Sequence, residues 1–147
     1  MTISVRPLAA TDKARWHALF DAYIAFYEAT VSDDVIETTW QRLLAGGEGN
    51  PIGVVACDEH GELVGIAHVL FHRSTWSPTW YCYLEDLFVA PAARRQGAGR
   101  ALIEATYREA DRRGATRTYW VTQESNDCAR TLYEQAAHKA PFVQYRR

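Results

Sequence analysis

Apolar and polar positions alternate along this chain in runs short enough to be read element by element. Ile3 to Pro7 predicts a first strand. Trp16, Leu19, Phe20, Tyr23, Ile24 and Tyr27 then recur with a helical period, predicting a helix N-capped at Thr11 and reaching about Thr30. Ser32 caps a second predicted helix that ends near Gly46-Gly47. Ile52 to Cys57 and Leu63 to Phe71 are apolar runs around the polar turn Glu59-His60-Gly61-Glu62, which predicts a hairpin. Trp80 to Val89 predicts a long fourth strand, and Gly97 to Arg113 a helix stopped by Gly114. Thr118 to Thr122 predicts a fifth strand, Asn126 to about Ala137 a short helix, and Phe142 to Tyr145 a last strand. Hairpins followed by a β-α-β crossover imply an α/β fold, with a mixed sheet and helices on both faces.

Composition narrows the class. At 147 residues the chain suits one domain, 1–147, which can bury ~68–70% of the surface it exposes when unfolded. An apolar share of 48% with 23% charged residues is globular and excludes disorder. The longest apolar runs, such as Ala22 to Tyr27, fall far short of the ~20 residues a bilayer needs. Arg6, Asp12, Lys13 and Arg15 interrupt any signal core, so a cytoplasmic protein is expected. Cys57, Cys82 and Cys128 form no C-x-x-C pair or metal cluster and read as reduced thiols. Net charge is only -2, but residues 1–93 hold 5 basic and 12 acidic side chains and residues 94–147 hold 11 and 6. The first part therefore carries -7 and the second +5, as if they faced partners of opposite sign.

The change of sign falls inside the most informative stretch, Tyr81 to Leu102, YCYLEDLFVAPAARRQGAGRAL. A strand runs to Val89, Pro91 breaks it, and a loop of small residues leads into a helix near Gly97. Small residues let backbone N–H groups approach a ligand, and a helix N-terminus adds unpaired donors and partial positive charge. Arg94, Arg95 and Arg100 add charges suited to phosphate. The loop is no P-loop, because Arg100-Ala101 follows Gly99. Nor is it a dinucleotide fingerprint, because Leu102 stands where the third glycine belongs.

The spacing that fits is R-x-x-G-x-G, Arg94 through Gly97 to Gly99, which resembles the coenzyme A pyrophosphate loop of the GNAT superfamily of N-acetyltransferases. Leu87 to Pro91 before it and Leu102 to Gly114 after it agree, as does Asn126-x-x-Ala129-x-x-Leu132-Tyr133-Glu134 in the next β-α unit. Within the family, Tyr83 to Val89 is similar to the diamine (spermidine/spermine) acetyltransferases. Phe142 to Arg146 resembles a branch containing yeast histone and polyamine acetyltransferases.

The resemblance implies a sheet of about six to seven strands, with acetyl-CoA in a splayed cleft between the fourth and fifth. It implies cofactor contacts from Leu87, Phe88 and Val89, from Arg94, Arg95, Gln96, Gly97, Ala98, Gly99 and Arg100, and from Asn126 and Arg130. Tyr133 matches the family's general acid at the sulfur, and Glu85 is the candidate base. Tyr27, Glu28, Glu85 and Asp86 are the expected acceptor contacts, and no metal is implied. Each has a plainer alternative: Glu85 as a solvated strand residue, Tyr133 as a core aromatic, Asn126 as a helix N-cap. Strand alternation separates Glu85 and Asp86 onto opposite faces unless the strand bulges. His68 and His72 share a strand face without an obvious third ligand, and Trp76 and Trp80 could pack or line a pocket.

The expected activity is acetyl transfer from acetyl-CoA to a small cationic amine, polyamine-like or lysine-like, in a ternary complex. Transfer to protein lysines and a non-catalytic acyl-CoA-binding module are the alternatives. A nucleic-acid partner is not expected, since no aromatic stacking platform lies among the arginines. A homodimer is implied by the family alone. The family's Gly-Phe pair after Tyr133 is missing.

Overall fold

The computed structural model describes residues 2–147. One five-stranded sheet runs in the order β1 (Ser4–Pro7), β2 (Ile52–Cys57), β3 (Leu63–His72), β4 (Tyr81–Val89), β5 (Arg117–Tyr119). The first three pairings are antiparallel and β4–β5 is parallel. Helices α1 (Lys13–Phe26) and α2 (Asp33–Ala45) cover one face, and α3 (Ala98–Arg112) and α4 (Asp127–Ala136) cover the other.

Local chemistry explains most boundaries. Ser32 Oγ accepts from Val35 N, with Asp33 and Asp34 in the first turn of α2 and Arg42 in its last, favourable against the helix dipole. α1 begins after a 3-10 turn at Ala10–Asp12 rather than at a Thr11 cap. There Asp12 Oδ2 accepts from Ala9 N at 2.8 Å, and its carboxylate takes two bonds from Arg6. α1 stops at Phe26, short of Thr30, because Glu28 adopts φ +54. β5 covers Arg117–Tyr119 instead of reaching Thr122. The expected last strand at Phe142 to Tyr145 does not form. That segment joins no strand among the described residues, and Phe142 and Tyr145 are exposed. The sheet therefore has five strands, not six to seven.

Two cores sandwich the sheet. Trp16, Trp40, Ile66 and Phe88 join α1 and α2 to one face. Leu102, Ile103, Val69, Cys82 and Leu84 join α3 to the other. Leu102 is fully buried, so truncating it to Ala would cost about 2–5 kcal/mol.

β4 carries the irregularity that organises the rest. His68 pairs with Asp86 and Val69 with Leu84, leaving Glu85 as an extra residue. This bulge reverses the alternation of β4. Before it, Cys82 and Leu84 point into the α3 core. After it, Leu87 and Val89 do, while Phe88 turns into the α1/α2 core.

Candidate functional site

β4 and β5 pair only from Tyr81–Arg117 to Tyr83–Tyr119. Beyond that vertex, closed by the stacked rings of Tyr83 and Tyr119 at 4.8 Å, β4 continues to Val89 while β5 has ended. The strands splay and leave one edge of β4 open. Ala90 N donates to Val64 O, so by alternation Phe88 and Asp86 turn their backbone groups towards β3. Leu87 and Val89 turn theirs towards the cleft. Phe88, expected among the cofactor contacts, instead has a buried side chain and a backbone facing β3. An extended ligand arm in this cleft would pair with Leu87 and Val89 as an added strand.

At the mouth of the cleft lies the loop from Pro91 to Ala98. Arg95 at φ +65 and Gly97 at φ +88 are both left-handed. Successive left-handed turns of this kind gather N–H groups into a concavity. The N–H groups from Arg95 through Arg100 donate to no carbonyl or side chain among the described residues; the first intrahelical bond is Ala101 N to Gly97 O. Gln96 Oε1 is buried without a partner. An uncommitted run of donors on the N-terminus of a 15-residue helix fits a pyrophosphate.

The two glycines do different work. A Cβ on Gly97 would meet nothing within 4 Å, so its need is conformational. A Cβ on Gly99 would come within 3.0 Å of Leu132 Cδ2, so its need is the packing of α3 on α4. The arginines divide likewise. Arg94 Nε donates to Val89 O, and Arg94 lies over the Phe88 ring. Arg100 is tied to Gln135 on α4. Arg130 donates to Glu124 O and reaches Glu134. Asn126 holds the N-cap position of α4, where its carbonyl accepts from Arg130 N, but its side chain makes no capping bond and donates instead to Thr122 Oγ1 at 3.1 Å.

Inside the cleft Tyr133 packs edge-on against Trp120, and its hydroxyl has no hydrogen-bond partner among the described residues. Burial, with a smaller effect from Tyr27, pushes its pKa up to about 12. A phenol this high keeps its proton at neutral pH and can donate it. Tyr27 sits at the end of α1 with its ring against Tyr23. Burial and then the charge of Asp86 raise Tyr23 well above the usual phenol range. Tyr23 was missed in the sequence, although it lies one helical turn before Tyr27 on the same face. Glu85, the extra residue of the bulge, is solvent-exposed, and its pKa is raised by partial desolvation and then by the charge of its neighbour Asp86. Glu28 is exposed, and its left-handed backbone terminates α1.

His68 and His72 make no metal pair. His72 Nε2 bonds Tyr119 Oη at 2.6 Å, while His68 turns to Asp86 and Trp16. No group of His, Cys, Asp and Glu among the described residues could hold a metal ion, and no helix there is long and apolar enough to cross a membrane. Trp76 is exposed, and Trp80 packs under Arg73.

The acetyltransferase (GNAT) family model matches residues 16–138. The chain is 35% identical to the D-amino-acid N-acetyltransferase HPA3 of Saccharomyces cerevisiae, over 99% of this chain and 90% of that protein. It is 29% identical to an aminoglycoside N(6')-acetyltransferase type 1 of Klebsiella aerogenes, over 88% and 84%. Its fold superposes on AAC(6')-Iy in complex with a CoA-containing bisubstrate analogue with a TM-score of 0.83 at 18% identity, covering 100% and 99%. With the splayed β4–β5 cleft, the open β4 edge and the cradle before α3 already in place, these matches make the chain a member of the acetyltransferase (GNAT) family, an acetyl-CoA-dependent N-acetyltransferase.

Proposed function

We propose that the enzyme transfers the acetyl group directly to a primary amine of a small cationic acceptor, polyamine-like or lysine-like. The observation that carries this is the pair Glu85 and Asp86 at the bulge, with no lysine or arginine paired to either among the described residues. Asp86 beside Tyr23, and Glu85 beside Tyr83 and Tyr119, make an acidic, aromatic-lined patch that attracts an ammonium group.

Acetyl-CoA supplies the activated acetyl group; the chain's residues manage charge and protons. The cradle from Arg95 to Arg100, with Arg94 beside it, holds the pyrophosphate. A primary ammonium has a pKa near ~10, so the bound acceptor must lose a proton before attack. Glu85 takes that proton, directly or through water, and its raised pKa makes it a better base than an ordinary glutamate. The amine forms a C–N bond at the thioester carbonyl carbon, and a backbone N–H near Leu87 stabilises the developing oxyanion. As the C–S bond breaks, Tyr133 gives its proton to the sulfur. A second nitrogen proton, lost after attack, restores the phenol.

A second reading places an amino acid in the site, because the relative at 35% identity is a D-amino-acid N-acetyltransferase. A thiol-release assay with polyamines, lysine, D- and L-amino acids and a basic peptide separates these. Turnover on diamines supports the cationic acceptor, whereas turnover confined to α-amino acids replaces it with the second reading. Tyr133→Phe should lower kcat about 10²–10⁴-fold and leave CoA affinity nearly intact; unchanged kcat removes its acid role. The family resemblance and the exposed Phe142, Val143 and Tyr145 further support a homodimer, testable by sedimentation.

A further inference from the structure

His68 sits at the centre of a three-residue chain that crosses from α1 to the cleft. Trp16 Nε1 donates to His68 Nε2 at 2.9 Å, and His68 Nδ1 lies 2.8 Å from Asp86 Oδ2. Trp16 and His68 are both buried, while the Asp86 side chain keeps 18% of its exposure. Phe20 meets the imidazole edge-on at 5.0 Å and fixes its plane.

Hydrogen-bond chemistry decides the protonation pattern. An indole N–H can only donate, so His68 Nε2 must be the unprotonated acceptor. The ring proton then resides on Nδ1 and is donated to Asp86. A doubly protonated ring would set an N–H of His68 against the N–H of Trp16 inside the core, which would leave both unsatisfied. The imidazole is therefore held neutral, and the pair keeps the full negative charge of Asp86. No lysine or arginine lies within salt-bridge distance of Asp86 among the described residues. Around it stand Tyr23 of α1, whose hydroxyl is turned towards it, and Tyr83 and Glu85 of β4, none of them cationic. A partly buried, oriented and uncompensated carboxylate demands a cation from outside the chain.

We propose that His68 is a positioning residue: held in its Nδ1-protonated tautomer by Trp16, it anchors one oxygen of Asp86 so that the other receives the acceptor's ammonium. This deepens the cationic-acceptor reading and rests on it. The division of labour at the bulge follows: Asp86 binds the charge, while Glu85, free of such an anchor, accepts the proton. The sequence signal was a histidine in the middle of an apolar strand. What pairs with it is set by the bulge and by a tryptophan far away in the chain.

Two isosteric variants separate positioning from packing. In His68→Asn the amide nitrogen replaces Nδ1, keeping the bond to Asp86 and losing the acceptor for Trp16. In His68→Gln the amide oxygen replaces Nε2, keeping the acceptor for Trp16 and losing the donor to Asp86. His68→Gln should raise the amine KM about ten- to a hundredfold, with the acetyl-CoA KM within about twofold of wild type. His68→Asn should restore most of the amine KM. Equal losses in both variants, or a greater loss in His68→Asn, would show a merely structural histidine and overturn the proposal. Asp86→Asn separates this from the reading beneath it. If Asp86→Asn leaves the amine KM unchanged, the cationic-acceptor reading of Asp86 fails. If it raises that KM while His68→Gln does not, only the positioning role fails. Nitrogen-15 NMR of the wild-type imidazole needs no variant. The expected result is an Nδ1-protonated ring with an unprotonated Nε2, and the Nε2-protonated tautomer would overturn the assignment.

Discussion

Gly97→Ala isolates the conformational element of the CoA cradle. Gly97 stands at φ +88 and ψ 5, where an L-residue pays roughly 1–2 kcal/mol. The added methyl meets no atom within 4 Å, so none of that cost is steric contact with neighbours. The flanking N–H groups bond nothing among the described residues, so little besides the ligand resists relaxation of the loop. Relaxation disperses the donors, and CoA must spend binding energy to regather them. The dissociation constant for CoA should rise about 5–30-fold, with only a small change in the thermal midpoint. Gly99→Ala is the control. Its methyl comes within 3.0 Å of Leu132 Cδ2, the far end of a flexible side chain, and its φ is ordinary. Gly99→Ala should therefore lose less than about threefold in affinity while lowering the midpoint slightly. Titration calorimetry with CoA and a melting curve for each variant suffice. Wild-type affinity in Gly97→Ala, or an equal loss in Gly99→Ala, would refute the assignment of the donors to the pyrophosphate.

Three further outcomes follow from the electrostatics. Glu85→Gln should lower kcat/KM and flatten its acid limb, which for wild type should lie above the ordinary glutamate value of 4.5 because burial and Asp86 raise Glu85. The same shift bears on stability. A raised carboxylate contributes most when protonated, so wild type should lose stability relative to Glu85→Gln as pH rises from about 4.5 through the folded value, read by denaturant titration at several pH values. Asp12 has the opposite sign: Arg6 holds it below its ordinary 3.8, so its contribution is present above that value and is lost as pH falls through the lower folded one. Asp12→Asn should cost about 2 kcal/mol at neutral pH and reduce the acid sensitivity of unfolding; unchanged acid sensitivity would contradict the pairing.

Much of this arrangement is visible in the linear pattern, and the remainder is lost for identifiable reasons. The strands from β1 to β4, the Ser32 cap and the left-handed loop before α3 are local features, carried by alternation, a hydroxyl at the right offset and glycines before a helix. The tail from Phe142 to Tyr145 has strand-like residues, but a strand exists only where an edge accepts it. The bulge at Glu85 could be stated only as a condition for both carboxylates to meet. It follows from how β3 and β4 register, which no short window reveals. For the same reason the sequence shows His68 only as a surface or core histidine on the strand face of His72, four residues on, and does not show what it bonds. In the fold its partners are Trp16 and Asp86, 52 and 18 positions away. Gly97 and Gly99 look alike in the motif, and only the positions of neighbouring atoms separate their roles.

Direct attack by the amine within a ternary complex is the central claim for the mechanism. Two of the three cysteines, Cys57 and Cys82, are buried in the core; Cys128 is exposed near the start of α4. Initial rates of thiol release, measured with acetyl-CoA and a diamine both varied, test the claim most directly. Intersecting double-reciprocal lines are the predicted result, with the intact protein carrying no acetyl group after exposure to acetyl-CoA alone. Parallel lines with a stoichiometric acetylated protein would contradict it.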